Sequence, residues 1–158
     1  MIFDDIQEFV EHAEAMGPLM GLDFGDKTIG VAVSDGMRSV ASPLETVRRK
    51  KFTLDAARLQ EIIAHRNIVG IVLGLPRNMD GSEGPRCQKT RAFARNLDRL
   101  APMPITYWDE RLSTVAAERA LLEADASRAR RAEVIDNIAA SYILQGALDR
   151  LAHLRTGG

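Results

Sequence analysis

The sequence predicts an α/β fold in which a five-stranded mixed sheet carries helices on both faces. Two patterns predict it: short β-rich runs separated by turn residues come first, and buried apolar runs that alternate with helical patterns follow. The length and composition agree with this fold. The chain has 158 residues, of which 46% are hydrophobic and 27% charged, which suits one globular domain and leaves no room for a second of similar size.

The first 16 residues have the pattern of an amphipathic helix over residues 2–16, which Gly17-Pro18 would end. Five acids and no Lys or Arg lie in this leader, so the rest of the chain carries a formal charge of +4 although the whole carries −1. We expect residues 1–18 to be an appendage to a domain of residues 19–158. The apolar stripe is Ile2, Ile6, Phe9, Val10 and Ala13.

Residues 19–47 predict a three-stranded antiparallel meander. The runs LMGLDFG, IGVAVSD and SVASPLETV are rich in β-forming residues, and turn signals separate them. Asp26 and Asp35 lie in those turns, and turn formation is their preferred interpretation.

The remainder alternates helices with strands. A helix marked by Leu59, Ile62 and Ile63 precedes an apolar run that is typical of a strand buried on both faces. A loop rich in Gly, Pro and Asn then leads into another helix, a further strand and two last helices. In chain order these are the strand Ile68–Leu73, the loop Pro76–Pro85, the helix marked by Phe93, Leu97 and Leu100, the strand Ile105–Asp109, and the helices Val115–Leu122 and Val134–Leu151.

Composition excludes several classes of protein. The longest apolar runs fall far short of the roughly 20 residues that a membrane-spanning helix needs, and the acidic N-terminus is unlike a secretory signal. The single cysteine, Cys87, cannot form an internal disulfide, and we interpret it as a small apolar residue on a helix. His12, His65 and His153 fit no zinc-binding spacing. We therefore expect a cytoplasmic protein.

Asp23 is the first candidate for chemistry. It lies inside an apolar strand, and alternation places it on one face with Gly21 and Gly25, which leave room for a ligand. A carboxylate inside a strand is costly unless it is paired or binds a metal, so a functional role is favoured over a structural one.

Two further candidates lie late in the chain. Asp109-Glu110-Arg111 ends a strand, before a helix that Ser113 or Thr114 could cap, and only one acid of this pair should face Asp23. The alternative there is a salt bridge to Arg111. Asp136 shares a helix face with Ala139, Ala140 and Ile143, although an acid near a helix start also favours the helix dipole.

Together these acids suggest a metal site. Three carboxylates supply the oxygen ligands that hard divalent cations require. Two such ions roughly 4 Å apart can activate a water and stabilise the leaving oxygen of a phosphodiester.

Four ordered motifs carry a resemblance to a known family. They are Gly21–Asp35 (GLDFGDKTIGVAVSD), Gly74–Pro76 with Asn78–Gly84, Asp109–Thr114 (DERLST), and Asp136 with Ala139-Ala140. With these motifs, residues 19–152 resemble the YqgF/RuvX family of pre-16S rRNA nucleases, earlier described as Holliday junction resolvases.

The resemblance implies an RNase H-like fold with strand order 3-2-1-4-5 and hydrolysis of phosphodiester bonds with Mg²⁺ or Mn²⁺. It implies that Asp23, Glu110 and Asp136 are the catalytic and metal-binding acids, with Asp109 and Arg111 as alternate or supporting residues. Its substrate would be the 5′ end of pre-16S rRNA. The chain departs from the family pattern at Arg77, where many members have an apolar residue, and at Thr28, where many have Arg.

Basic clusters agree with a polyanionic substrate. They are Arg48–Lys51, Arg128–Arg131, and Arg77, Arg86, Lys89 and Arg91 around the glycine-rich loop. We expect substrate contacts from Lys27, Arg77, Asn78, Arg86 and Lys89. Because aromatic residues make up only 5% of the chain, recognition through backbone and shape is favoured over base stacking.

Other functions remain open at this point. A Holliday junction resolvase needs two active sites and hence a dimer, and the sequence does not choose between monomer and homodimer. A nucleic-acid-binding module without catalysis is a second alternative. Asp23, Gly25 and Gly30 also resemble the phosphate-binding hairpin of actin-like ATPases and sugar kinases, which use two duplicated halves that this chain is too short to contain.

The acidic leader has two interpretations. Docked by its apolar stripe, it would present its acids to a basic cluster and compete with nucleic acid. Alternatively it only covers apolar surface or contacts a second copy, which the small contribution of single surface ion pairs favours.

Overall fold

The computed structural model of the chain describes residues 1–112 and 128–156, the side chains of residues 128–135 excepted. Within these ranges one six-stranded sheet packs between helices. The strands are β1 (Ile2–Phe3), β2 (Leu19–Phe24), β3 (Thr28–Ser34), β4 (Ala41–Arg48), β5 (Gly70–Leu75) and β6 (Ile105–Asp109). The helices are α1 (Ile6–His12), α2 (Phe52–Arg66), α3 (Pro85–Leu100), the short 3₁₀ helix Glu110–Leu112, and α4 (Arg128–Arg155).

The strand order is β1-β6-β5-β2-β3-β4. β2, β3 and β4 form the predicted antiparallel meander, while β5 and β6 add in parallel beside β2. Counted from β2, this is the predicted order 3-2-1-4-5. The prediction of five strands was short by one, because β1 adds at the far edge.

The leader is not one continuous helix. Ile2 and Phe3 pair in parallel with Ile105 and Thr106 of β6, so their backbone groups are used in the sheet. The helix begins only at Ile6 and ends at His12, shorter than the predicted span of residues 2–16. Asp5 caps it by accepting a hydrogen bond from the backbone N–H of Gln7 at 3.0 Å.

Two leader aromatics are buried in the core. Phe3 and Phe9 pack edge to face, and Phe9 is fully buried. The leader therefore covers apolar surface, as the simpler interpretation expects. Its Asp4 carboxylate also bonds Arg91 at 2.7 Å. Competition with nucleic acid, and the division of the chain at residue 18, stay predictions.

The two faces of the sheet carry different helices. α2 and α3 cover the face to which Leu22 points, and α4 covers the face to which Leu19 points. This arrangement confirms the prediction of helices on both faces. On α4, Ala139, Ala140 and Ile143 are buried, as their spacing predicts. The predicted helix at Val115–Leu122 and its caps at Ser113 or Thr114 lie outside the described residues.

Between Asp136 and Leu144, α4 lies close to the sheet, and glycines make that approach possible. A Cβ on Gly21 would lie 2.6 Å from the Cβ of Leu144, and a Cβ on Gly30 would overlap the backbone carbonyl of Asp136. Any side chain at these positions would push the helix away. The helix and its acid are therefore held against β2 and β3.

No described helix is long and apolar enough to cross a membrane. Cys87 is fully buried on α3, as interpreted from the sequence, and its burial raises the pKa of the thiol.

Replacing Gly30 with alanine tests this close approach. We expect Gly30→Ala to lower the free energy of unfolding by about 2–3 kcal/mol, because the added methyl overlaps rigid backbone on α4. Gly36→Ala is the matched control, since a Cβ there meets nothing within 4 Å. Urea denaturation of both variants measures the difference, and equal stability would show that α4 is free to shift.

Candidate active site

The site lies at one edge of the sheet. β2, β5 and β6 run parallel, so their carboxyl ends meet there, and β3 begins there because it runs antiparallel to β2. In sheets of this kind, ligands bind outside the carboxyl ends of parallel strands. The predicted acids Asp23 and Asp109 are both within the last two residues of their strands.

Asp23 is nearly buried, with 4% of its surface exposed. Its antiparallel partner on β3 is Gly30. The parallel pairing of β2 with β5, described as far as Leu22↔Leu73, would bring Gly74 to its other side. The flanking glycines admit other groups on the face that α4 covers, because a Cβ on Gly30 would meet the backbone of Asp136 and one on Gly74 would meet Ile143 and Oε1 of Glu110.

Asp136 approaches Asp23 from above the sheet. Its backbone carbonyl lies over Gly30, the pairing partner of Asp23. Its carboxylate accepts a hydrogen bond from the hydroxyl of Thr28, at the start of β3. Thr28 is a position where the chain departs from the family pattern, and here it orients a candidate acid. Sequence reasoning missed this role because the two residues are 108 positions apart.

The structure separates the roles of Asp109 and Glu110. A Cβ on Gly74 would lie 2.8 Å from Oε1 of Glu110, so this carboxylate lies on the glycine-flanked face near Asp23. Asp109 instead receives Arg111 in a bidentate ion pair, with Nη2 2.6 Å from its Oδ2. The salt bridge to Arg111, which the sequence offered as an alternative for this acid pair, therefore forms, and its acid is Asp109.

Hydrogen bonds from Arg111 lower the pKa of Asp109 below its ordinary range. Arg111 also donates to the carbonyl of Met79 at 3.3 Å, which ties the end of β6 to the glycine-rich loop.

The three candidate acids supply the ligand type for a divalent cation, and the glycines beside Asp23 let the segments that carry Glu110 and Asp136 approach its strand. In residues 1–112 and 136–156, however, no three Asp, Glu, His or Cys side chains are clustered closely enough to hold a metal ion as they stand. Asp136 is turned toward Thr28, at the β3 side of Asp23, while Glu110 lies at the β5 side. The oxygen donors suit a hard cation, and side-chain rotation would have to bring them together to complete the ligand set.

The glycine-rich loop that follows β5 is held by its own hydrogen bonds. The side-chain amide of Asn78 donates to the hydroxyl of Ser82 at 3.0 Å, and Ser82 donates to Asp80. Asn78 thus shapes the loop, and its contact with substrate stays a prediction. Arg77 has one long ion pair, 3.6 Å from Glu83, and its buried Nε has no hydrogen-bond partner among the described residues.

The remaining predicted contacts are exposed near this edge. Lys27 lies in the β2–β3 turn, Arg86 in the first turn of α3, and Lys89 lies 3.7 Å from Asp26. Lys27, Arg86 and Lys89 stay predictions as substrate contacts. The side chains of Arg128–Arg131 lie outside the described residues.

Arg91 makes several contacts within the protein that the sequence does not predict. Its guanidinium donates to both oxygens of Glu83, at 2.6 and 2.8 Å, and lies over the ring of Tyr107. With its bond to Asp4, it joins the leader, the glycine-rich loop and β6. Arg91 therefore has a structural role, unlike a basic residue kept free for phosphate.

The family model of RuvX, described as "Holliday junction resolvase", matches residues 17–150. The chain belongs to the RuvX family. The match covers the sheet from β2 onward, the glycine-rich loop and all three candidate acids.

Curated relatives in the RuvX family match almost end to end. A protein of Ruegeria sp. (strain TM1040) named "Putative pre-16S rRNA nuclease" is 72% identical over 156 residues, which cover 99% of each chain. A protein of the same name from Roseobacter denitrificans is 69% identical over 157 residues, 98% of this chain and 96% of its own.

Solved structures share the fold at low identity. The Thermus thermophilus RuvC structure is 15% identical with a TM-score of 0.51, covering 89% of this chain and 96% of that one. Yeast mitochondrial Holliday junction resolvase Ydc2 is 11% identical with a TM-score of 0.50, covering 96% of this chain and 88% of that one. These likenesses confirm the predicted RNase H-like fold.

The Asp109–Arg111 pair predicts a pH dependence. A carboxyl whose pKa is lowered on folding stabilises the protein above its unfolded pKa of about 3.9, and this stabilisation is lost as pH falls through the lowered pKa. Carbon NMR titration should therefore find the Asp109 midpoint below 3.9, and Arg111→Met should return it toward that value. An unchanged midpoint would mean that the ion pair does not persist in solution.

Proposed function

We propose that the chain is a metal-dependent nuclease that cuts precursor 16S rRNA near its 5′ end. Family membership makes it a hydrolase of phosphodiester bonds. The observation that supports the site assignment is that the backbone of Asp136 lies over Gly30 and the carboxylate of Glu110 lies beside Gly74, on the sheet face and near the strand end that carry Asp23.

The proposed roles of the acids follow from their settings. Asp23 is held inside β2 beside Gly30, where the lack of a side chain lets the segment of Asp136 approach closely. Thr28 holds the carboxylate of Asp136 in one orientation. Glu110, at the start of the 3₁₀ helix, completes the set from the β5 side. Mg²⁺ or Mn²⁺ bound by these residues would supply the Lewis acid that activates water and stabilises the leaving oxygen.

The substrate assignment draws on the relatives and on charge. Curated relatives of about 70% identity carry the pre-16S rRNA nuclease name. Arg77, Arg86 and Lys89 lie on the loop and helix that follow β5, where a phosphate backbone can reach the acids. We further propose a cytoplasmic site of action, which the single buried cysteine supports. Monomer and homodimer both accommodate this proposal.

Single substitutions at the acids test the catalytic assignment. We expect Asp23→Asn and Glu110→Gln each to reduce cleavage by at least about a hundredfold, because each removes a charged metal ligand while keeping side-chain size. Asp109→Asn, adjacent but paired with Arg111, should reduce it less than about tenfold. Cleavage of a pre-16S rRNA fragment is measured with Mg²⁺ or Mn²⁺, with folding checked by circular dichroism.

A four-way DNA junction serves as the competing substrate in the same assay. Faster cutting of the junction than of the RNA would favour resolvase activity, and binding without cutting of either would favour a non-catalytic module. Equal, small losses for Asp109→Asn and Glu110→Gln would contradict the proposed division of roles.

Salt dependence tests the basic loop. We expect Arg77→Ala and Arg86→Ala each to make the slope of log affinity against log salt shallower by about one, as when one phosphate contact is lost. Arg66→Ala is the matched control, because this exposed arginine ends α2 before β5, at the opposite edge of the sheet. RNA binding is measured without divalent metal, and slopes equal to the control would exclude the loop as the phosphate contact.

A further inference from the structure

A pocket of about 240 Å³ opens on the face of the sheet opposite the acids. Phe24, Phe52 and Phe93 line it, together with the basic residues Arg49 and Lys89. A second, shallower hollow of about 470 Å³ shares Phe52 and Asn96 with it and adds Arg99 and Leu100, so the two adjoin along α3 and are treated together here as one groove.

The aromatic wall of this groove is ordered by its own contacts. Phe24 and Phe93 stack with ring centroids 4.3 Å apart, and Phe52 meets Phe93 edge to face at 6.1 Å. Phe93 is buried, whereas Phe24 and Phe52 are half-buried and border the groove. Three of the five phenylalanines in the chain are thus gathered at one surface.

Arg49 is fixed over this wall. Its guanidinium lies 4.3 Å from the centroid of the Phe24 ring and donates to the carbonyls of Gly25 and Asp26 at 2.7 and 2.9 Å. The residue is nonetheless exposed. A planar cation held against a ring, with an accessible surface, is a platform on which a nucleic-acid base can stack.

The groove is connected to the candidate acids through the end of β2. Phe24 follows Asp23 directly, and alternation sends their side chains to opposite faces of the sheet. Beyond Phe24 the strand gives way to the turn that carries Lys27, which is exposed. A strand of nucleic acid that leaves Asp23 can therefore pass around this turn and enter the groove.

Charge identifies the occupant. Arg49, Lys89 and Arg99 line the groove, and Lys50 and Lys51 precede Phe52 in the chain. Asp26 is the acid at the rim, and it faces Lys89. Aromatic faces together with cations suit an unpaired nucleotide, whose base stacks while its phosphate is neutralised; a rigid duplex would keep its bases inside.

We propose that this groove, named here the α3 groove, binds a single-stranded segment of the nucleic acid whose cleavage the acids perform. The inference rests on the proposed nuclease function and adds a second contact to it. At least one base stacks on Phe52 or Arg49, and Lys89 and Arg99 contact the flanking phosphates. The enzyme would therefore prefer substrates with an unpaired extension beside the cleavage point.

Binding of single-stranded RNA to the full chain tests the groove. Fluorescence anisotropy with a labelled single-stranded oligonucleotide, and with a duplex of equal length, is measured in EDTA so that cleavage is suppressed. We expect Phe52→Leu, which keeps apolar volume and removes the ring, to weaken single-strand affinity about tenfold and to leave duplex affinity unchanged. Arg49→Lys, which keeps the charge, should also weaken single-strand binding.

Leu54→Ala is the matched control, because it removes an exposed apolar side chain from the same end of α2 without touching the groove. A direct signal comes from Phe52→Trp, whose fluorescence should be quenched when RNA binds and a base stacks on it; parent Trp108 is buried and gives the background. Single-strand affinity of Phe52→Leu within about twofold of the control, or no quenching in Phe52→Trp, would overturn the proposal.

These outcomes are distinct from failure of the proposed function. Cleavage by the parent together with unchanged binding in Phe52→Leu would remove the groove and leave the nuclease assignment standing. Conversely, weakened binding in Phe52→Leu together with undiminished cleavage by Asp23→Asn would support the groove as a binding site and remove the catalytic assignment.

Discussion

The close packing of α4 against the strands is the constraint on which the rest of the site depends. Gly21 and Gly30 provide no side chain where the helix crosses, so backbone on α4 lies directly on backbone of the sheet. Only this approach brings Asp136, from the end of the chain, to the strand pair that carries Asp23. The same absence of side chains lets Oε1 of Glu110 lie beside Gly74. The close packing of α4 and the candidate site therefore both require glycine in these strands.

The sequence predicted most of the architecture because the patterns that define its strands, turns and helices each lie within a short segment. The alternation around Asp23, the turns of the meander and the apolar run before Gly74 are each contained in a few residues. β1 could not be predicted in this way, since a strand of two residues has no period and is defined by its pairing with β6. The hydrogen bond from Thr28 to Asp136 was missed for the same reason: it joins segments that only the fold brings together.

Composition was a poorer guide than position in the case of the aromatic residues. A content of 5% suggests that base stacking has little part in recognition. Yet Phe24, Phe52 and Phe93, from three separate elements, converge on one surface and are covered in part by Arg49. For Arg91 the error runs the other way, because the sequence suggested a functional role and the structure shows a structural one. Arg91 belongs by sequence to the cluster expected to bind phosphate, but two carboxylates already engage it.

The pairing of β1 with β6 also has a consequence for the order in which the chain acquires its structure. Ile2 is synthesised first, but its partner Ile105 emerges about a hundred residues later, whereas β2, β3 and β4 close short local loops. Long-range pairing of this kind is slow. Until β1 has paired with β6, the backbone groups on the outer side of β6 have no strand partner. We therefore expect the leader to dock onto a sheet that is already assembled, so that completing this edge is a late step in folding.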